Sequence, residues 1–249
     1  MCIRDRFQTA QIFDEVGVPV VFVGDTLGIF FAGHPTTLAV TMDEMTYHCA
    51  VVSRGAKQAL VVGDLPFASY HALIFDALTN AARLFREGNV QCVKLEGHRP
   101  KVVEALVDAG MPVIGHLGLT PQSFNALGGN RVQARREDEV GLLVENARSL
   151  EAAGASAVVL EAVPTEAARR VTEACSIPTI GIGAGPHCDA QVLVSAEMFG
   201  LAGGDHPRFV KAYADVRSDI AAAARSFIEE VAAGDYPDAS HSYDWSIRA

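Results

Sequence analysis

The stretch VVFVGDTLG, residues 20–28, climbs through four apolar residues and stops on an acid, Asp25, set between a glycine and a threonine. A buried strand that ends on a carboxylate offers a choice. Either the acid caps the following turn, or it works at the strand end. One such end decides nothing, but the design recurs along the chain. It returns at Asp64 in QALVVGDLP (58–66), at Lys94 and Glu96 in VQCVKLEG (90–97), at His116 in MPVIGHLG (111–118) and at Glu161 in ASAVVLEAV (155–163). IPTIGIGAG (177–185) and EMFGLAGG (197–204) also read as strands.

Helix-like segments alternate with these runs: TMDEMTYHCAVVSRGA, an alanine-rich run from His71 to Glu87, PKVVEALVDAG, the run from Glu137 to Gly154, and TEAARRVTEAC. Small or glycine residues close the helices just before the strands resume, as in EVGVPV, DAGMPV and AAGASA. Repeated βα units follow, with parallel strands buried on both faces. Polar residues at the carboxyl ends of five strands would spread along a line in an open sheet, whereas a barrel gathers them at one mouth. The expected fold is therefore α/β, a barrel of βα units of the TIM type.

A chain of 249 residues, 49% hydrophobic, can bury the core of one such domain. No Gly/Ser or Pro-rich linker divides it. A formal charge of −10, with dispersed acids, argues against nucleic acid as a partner. Five cysteines with no CxxC pair indicate neither a disulfide framework nor a zinc site, and a reducing cytoplasm is the expected setting. No apolar run approaches the ~20 residues that span a bilayer, so no membrane association is expected.

Each polar strand end also has a plain structural reading. A lone acid is commonly a cap, Lys94 and Glu96 on one face of a strand can be a structural ion pair, and His116 can be a hydrogen-bonded core histidine. Repetition at five strand ends favours function. Asp25, Asp64 and Glu96 form an oxygen-rich set without cysteine, which suits a hard cation such as Mg²⁺. A 2-oxo acid can chelate such an ion through its carboxylate and keto oxygens, and Lys94 can balance charge that develops there.

VGDTLG, HCAVVSRGA, VVGDLPF, VKLEG, PVIGHLGLTPQS, VVLEAVP and IPTIGIGAG, in this order, resemble the signature segments of the ketopantoate hydroxymethyltransferase family, also called 3-methyl-2-oxobutanoate hydroxymethyltransferase. The resemblance runs from about Phe13 onward. It implies a (β/α)8 barrel that binds Mg²⁺ and transfers a one-carbon unit from 5,10-methylenetetrahydrofolate to 3-methyl-2-oxobutanoate, giving 2-dehydropantoate in pantothenate biosynthesis. It also implies a homo-oligomer. Position by position, Asp25, Asp64 and Glu96 match the metal-site acids, and Asp25, Thr26, Asp64 and Lys94 match the positions that hold the oxo acid. Glu161 matches the proton acceptor, and His116 stands where the family has an active-site histidine.

The chain departs from the family pattern in three places. Thr26 stands where serine is common, and PHCDAQ after GIGAG lacks the usual glycine following the aspartate. The third departure is larger: the family opens with a strand of the ITAYD type, whereas this chain offers MCIRDR, which resembles translated adapter sequence. The expected organisation is thus a non-native head (1–6), a single barrel domain over 7–234 lacking its first strand, and a loosely held tail (235–249). GIGAG lacks the full dinucleotide-binding spacing and reads as a turn at the barrel mouth. The long segment TPQSFNALGGNRVQA reads as a lid. Two rival readings remain. A carbon–carbon lyase of the isocitrate lyase and phosphoenolpyruvate mutase group would be expected to carry a cysteine in a KKCGH-like segment, which is missing here, and an inert barrel would bind ligand without turnover.

Overall fold

The computed structural model describes residues 2–3, 6–204 and 206–245. Its strands are β1 (Cys2–Ile3), β2 (Val20–Val23), β3 (Leu60–Asp64), β4 (Cys92–Glu96), β5 (Val113–Gly118), β6 (Ala157–Glu161), β7 (Thr179–Ile182), β8 (Ala190–Gln191) and β9 (Leu193–Val194). The helices are α1 (Phe7–Glu15), α2 (Leu27–Phe30), α3 (Met42–Gly55), α4 (Ile74–Arg86), α5 (Pro100–Asp108), α6 (Phe124–Leu127), α7 (Glu137–Ala152), α8 (Thr165–Ala174), α9 (Ser195–Met198) and α10 (Val216–Ala233). None of the described helices is long and apolar enough to cross a membrane.

All strand pairs are parallel, in the order β8-β7-β6-β5-β4-β3-β2-β1-β9. The result is a curled parallel sheet with helical crossovers. Its strands read as continuous apolar runs because both faces are covered. Val21, Val23, Val62, Val93, Leu95, Val158 and Leu160 are all buried. Gly110 and Gly154 follow α5 and α7 in the left-handed region (φ 79° and 93°), which explains why these helices close on glycine, with two residues left before the next strand.

Two expectations are corrected here. The first strand is present: β1 pairs with β2 (Cys2↔Val21, Ile3↔Phe22) and with β9 (Cys2↔Leu193, Ile3↔Val194). Strand pairing is a backbone interaction, so two extended residues suffice without the ITAYD sequence. Of the expected head, Met1, Arg4 and Asp5 lie outside the described residues. The strand read at 197–204 is also displaced. The pairing residues are Ala190–Gln191 and Leu193–Val194, while 197 and 198 belong to α9.

The chain divides into two compact units, 1–195 with 208–210, and 196–207 with 211–249. The expected domain over 7–234 spans both. The first unit holds the sheet. The second carries α10, none of whose residues is buried, and a 3-10 turn, Ala239–His241, whose N–H groups at Ser240 and His241 donate to Asp238. The last four residues of the expected tail lie outside those described.

Candidate active site

The register of the sheet sets side chains from different strands beside one another. Asp64 is the partner of Lys94, and Glu96 that of His116, while Glu161 lies one strand further on, opposite Gly118. Asp25 follows β2 by two residues, and its backbone N–H donates to Asp64 Oδ2 at 3.2 Å. Asp25, Thr26, Asp64, Lys94, Glu96, His116 and Glu161 all line one cavity of about 40 Å³, together with Phe22, Val159, Ile182 and Val192. All seven residues named from the sequence are thus brought together.

Lys94 Nζ lies 3.1 Å from Asp64 Oδ2 and 3.9 Å from Glu96 Oε1, and all three side chains are buried. Asp64 Oδ1 and Thr26 Oγ1 are buried with no hydrogen-bond partner. Four carboxyls in the cavity face one ammonium, and the electrostatics follow from that imbalance. Burial, then the charge of Asp64, pushes the Asp25 carboxyl up to about 7, against the pull of Lys94 and Gln122. Burial likewise raises Glu96 well above the usual carboxylate range, opposed by Lys94. Burial works against the Lys94 ammonium as well, but Asp64, Glu96 and Asp25 together outweigh it and hold it above the ordinary lysine value. Burial first and Lys94 second hold the His116 imidazole below its ordinary value.

The His116 ring is thereby neutral near pH 7, and its neighbours select the tautomer. Nδ1 lies 3.3 Å from Lys94 Nζ, an ammonium that can only donate, so Nδ1 accepts and the proton sits on Nε2. Nε2 lies 3.2 Å from Glu161 Oε2 but off the line of a well-formed hydrogen bond. Such bonds in ligand-free sites commonly tighten only around substrate.

Among the described residues, no three His, Cys, Asp or Glu side chains are gathered into a ready metal cage. Asp25 Oδ2 accepts from Gln122 Nε2 at 2.8 Å, and Glu96 Oε2 accepts from the Gln122 backbone N–H at 2.9 Å. Mg²⁺ does not require a cage, since it binds through one or two carboxylates and keeps several waters. The adjacent pair Asp25 and Asp64, with an orphaned carboxylate oxygen and more buried carboxyls than cations around it, fits such an ion.

Gln122 and Tyr70 were not singled out from the sequence. Both are buried, and the Tyr70 O–H donates to Gln122 Oε1 at 2.6 Å. The signal for Gln122 was its place in LTPQS, directly after a strand bearing a polar residue; Tyr70 gave none. The four described cysteines, Cys49, Cys92, Cys175 and Cys188, are free thiols, and none of them lines the cavity.

Known proteins resemble this chain at two levels. Among solved structures it is similar in fold to a phosphoenolpyruvate phosphomutase from Streptomyces platensis subsp. rosaceus (TM-score 0.61, 14% identity, 94% of this chain and 82% of that one). It is similar also to 2,3-dimethylmalate lyase, a PEP mutase/isocitrate lyase superfamily member (TM-score 0.58, 15% identity, 99% and 85%). At these identities the likeness concerns fold alone. Sequence similarity is far higher to curated 3-methyl-2-oxobutanoate hydroxymethyltransferases. The one from Thermobifida fusca is 53% identical over 94% of this chain and 84% of its own length, and that from Geobacter metallireducens 47% over 94% and 88%. The family model for ketopantoate hydroxymethyltransferase matches residues 4–239, so the chain belongs to the ketopantoate hydroxymethyltransferase family.

Proposed function

We propose that this chain transfers a hydroxymethyl group from 5,10-methylenetetrahydrofolate to 3-methyl-2-oxobutanoate, forming 2-dehydropantoate for pantothenate biosynthesis, with Mg²⁺ in the site. Family membership and the activity named for the relatives support the reaction. The observation that carries the residue assignment is the meeting of four carboxyls, one ammonium and one imidazole in a single cavity. We also read the curled sheet as a (β/α)8 barrel. In support, β8 and β9, at opposite ends of the strand order, are one stretch of chain interrupted only at Val192.

In this reading Asp25, Asp64 and Glu96 are the acids around the cation, with Asp25 and Asp64 as its ligands. When bound, a hard cation offsets the negative charge that grows on the keto oxygen as the neighbouring carbon loses its proton. Asp25, Thr26, Asp64 and Lys94 hold the oxo acid. The buried Thr26 hydroxyl, free of protein partners, is available to donate to it, and its methyl group leaves that capacity intact. Glu161 takes the proton from the carbon beside the keto group, with His116 Nε2–H steadying its carboxylate. The carbon then bonds to the folate-borne one-carbon unit, water supplies the hydroxyl oxygen, and tetrahydrofolate leaves. A homo-oligomer and a cytoplasmic setting belong to the same proposal, and sedimentation measures the first.

The test is formation of 2-dehydropantoate from the two substrates, with and without Mg²⁺. Product that depends on the cation supports the reading. A folded protein that binds the oxo acid but makes no product in any divalent cation overturns it.

A further inference from the structure

Gln122 stands where the loop after β5 meets the cavity, only 4% exposed, and each polar group of its side chain is committed. The amide nitrogen donates to Asp25 Oδ2 at 2.8 Å and to the Leu65 carbonyl at 2.9 Å. The amide oxygen accepts from the Tyr70 hydroxyl at 2.6 Å. A backbone carbonyl can only accept, so the NH₂ must face Leu65, and with it Asp25. The orientation of this amide is therefore dictated from both ends.

The backbone of Gln122 works on a second acid. Its N–H donates to Glu96 Oε2 at 2.9 Å, while the Glu96 N–H donates to the Tyr70 oxygen at 3.0 Å. Tyr70, Gln122 and Glu96 thus close a buried ring of hydrogen bonds, and Asp25 hangs from it. Buried and fully satisfied, such a network holds its members in one arrangement.

We propose that Gln122 is a positioning residue for the acid cluster, and that Tyr70 holds Gln122 in its working orientation. By committing Asp25 Oδ2 to a protein donor, Gln122 fixes the plane of that carboxylate and the oxygen it presents to a ligand. By holding Glu96 Oε2 from the backbone, it fixes the neighbouring acid at the same time. The inference rests on the reading of Asp25 and Asp64 as cation ligands. Groups that orient metal ligands from behind typically change metal affinity or activity by about 10–100-fold when removed.

The experiment measures Mn²⁺ binding by titration without substrate, steady-state kcat and KM for the oxo acid, and the melting temperature of each variant. Gln122→Ala is expected to keep its fold, to weaken Mn²⁺ by about tenfold or more, and to lower kcat by about 10–100-fold. Gln122→Asn, which keeps the amide but shortens its reach, should recover part of the loss. Tyr70→Phe should give a smaller loss of the same kind, and adding it to Gln122→Ala should cost little more, because the lock has nothing left to hold. If Gln122→Ala does not fold, Gln122→Asn and Tyr70→Phe carry the test. Wild-type Mn²⁺ affinity and kcat in a folded Gln122→Ala overturn the proposal, as does a fall in melting temperature alone. If wild type itself binds no divalent cation, the cation reading fails separately. The kcat of Gln122→Ala then decides the positioning role, and an unchanged kcat rejects it.

Discussion

His116 Nε2 stands 3.2 Å from Glu161 Oε2, at the junction of β5 and β6. Because Lys94 claims the other ring nitrogen, the Nε2 proton lies beside the carboxylate without a formed hydrogen bond, and in the proposed reaction Glu161 accepts the substrate proton. Glu161→Gln is accordingly expected to bind 3-methyl-2-oxobutanoate within a fewfold of wild type and to lose about 10²–10⁴-fold in kcat. Near-normal turnover in the folded variant would move the base to His116.

Lys94 and Asp64 form a buried pair at 3.1 Å, so Asp64→Asn should have two effects. Removing one partner of such a pair costs about 3–5 kcal/mol, visible in denaturant unfolding without cation. Mg²⁺ and oxo acid affinity should both collapse, and chelator should mimic the second effect in wild type. Tight oxo acid binding in chelator would end the metal-bridge reading.

Asp25 gives the site a pH signature. Its carboxyl moves from 3.8 to about 7 on folding, through burial and then the charge of Asp64. Between those values the folded chain keeps a proton that the unfolded chain has released. This contribution to stability is complete below 3.8 and disappears as pH rises through about 7, a change on the order of a few kcal/mol. In chelator, the melting temperature should therefore decline over this window more steeply in wild type than in Asp25→Asn, and Mg²⁺ should flatten the difference. Equal slopes for the two proteins would refute the assignment.

Deleting residues 1–6 removes β1, the strand between β2 and β9. Each backbone group left buried without a partner costs about 1–3 kcal/mol, and a chain of this size loses about 2–4 °C per kcal/mol. A fall of about 10 °C or more, or aggregation, is expected in thermal unfolding. An unchanged melting temperature would show that β1 contributes little.

Six strands were legible because each is a largely apolar run, a pattern that buried parallel strands impose, and five of them close on a polar residue. The seven cavity residues were legible for the same reason, since they sit on or beside those strand ends. β1 and the pair β8 and β9 were not. Two-residue strands carry no period, and their pairing is decided by the curl of the sheet rather than by local sequence. Gln122 and Tyr70 escaped for another reason. Their importance lies in hydrogen bonds to Glu96 and Asp25 across sequence separations of 26 and 97 residues, which spacing along the chain cannot express.

The residue after Glu161, Ala162, holds φ at 46°, and its carbonyl accepts from the Gln133 N–H at 2.9 Å. The long segment expected to act as a lid is therefore an arch with two feet, one at Gln122 against Asp25 and Glu96, the other at Gln133 against the shoulder of Glu161. The crest between them carries Gly128 and Gly129, both at positive φ (66° and 105°). A displacement of that crest would leave both anchored ends, and the acids they hold, where they are, as a drawbridge moves while its piers stand still.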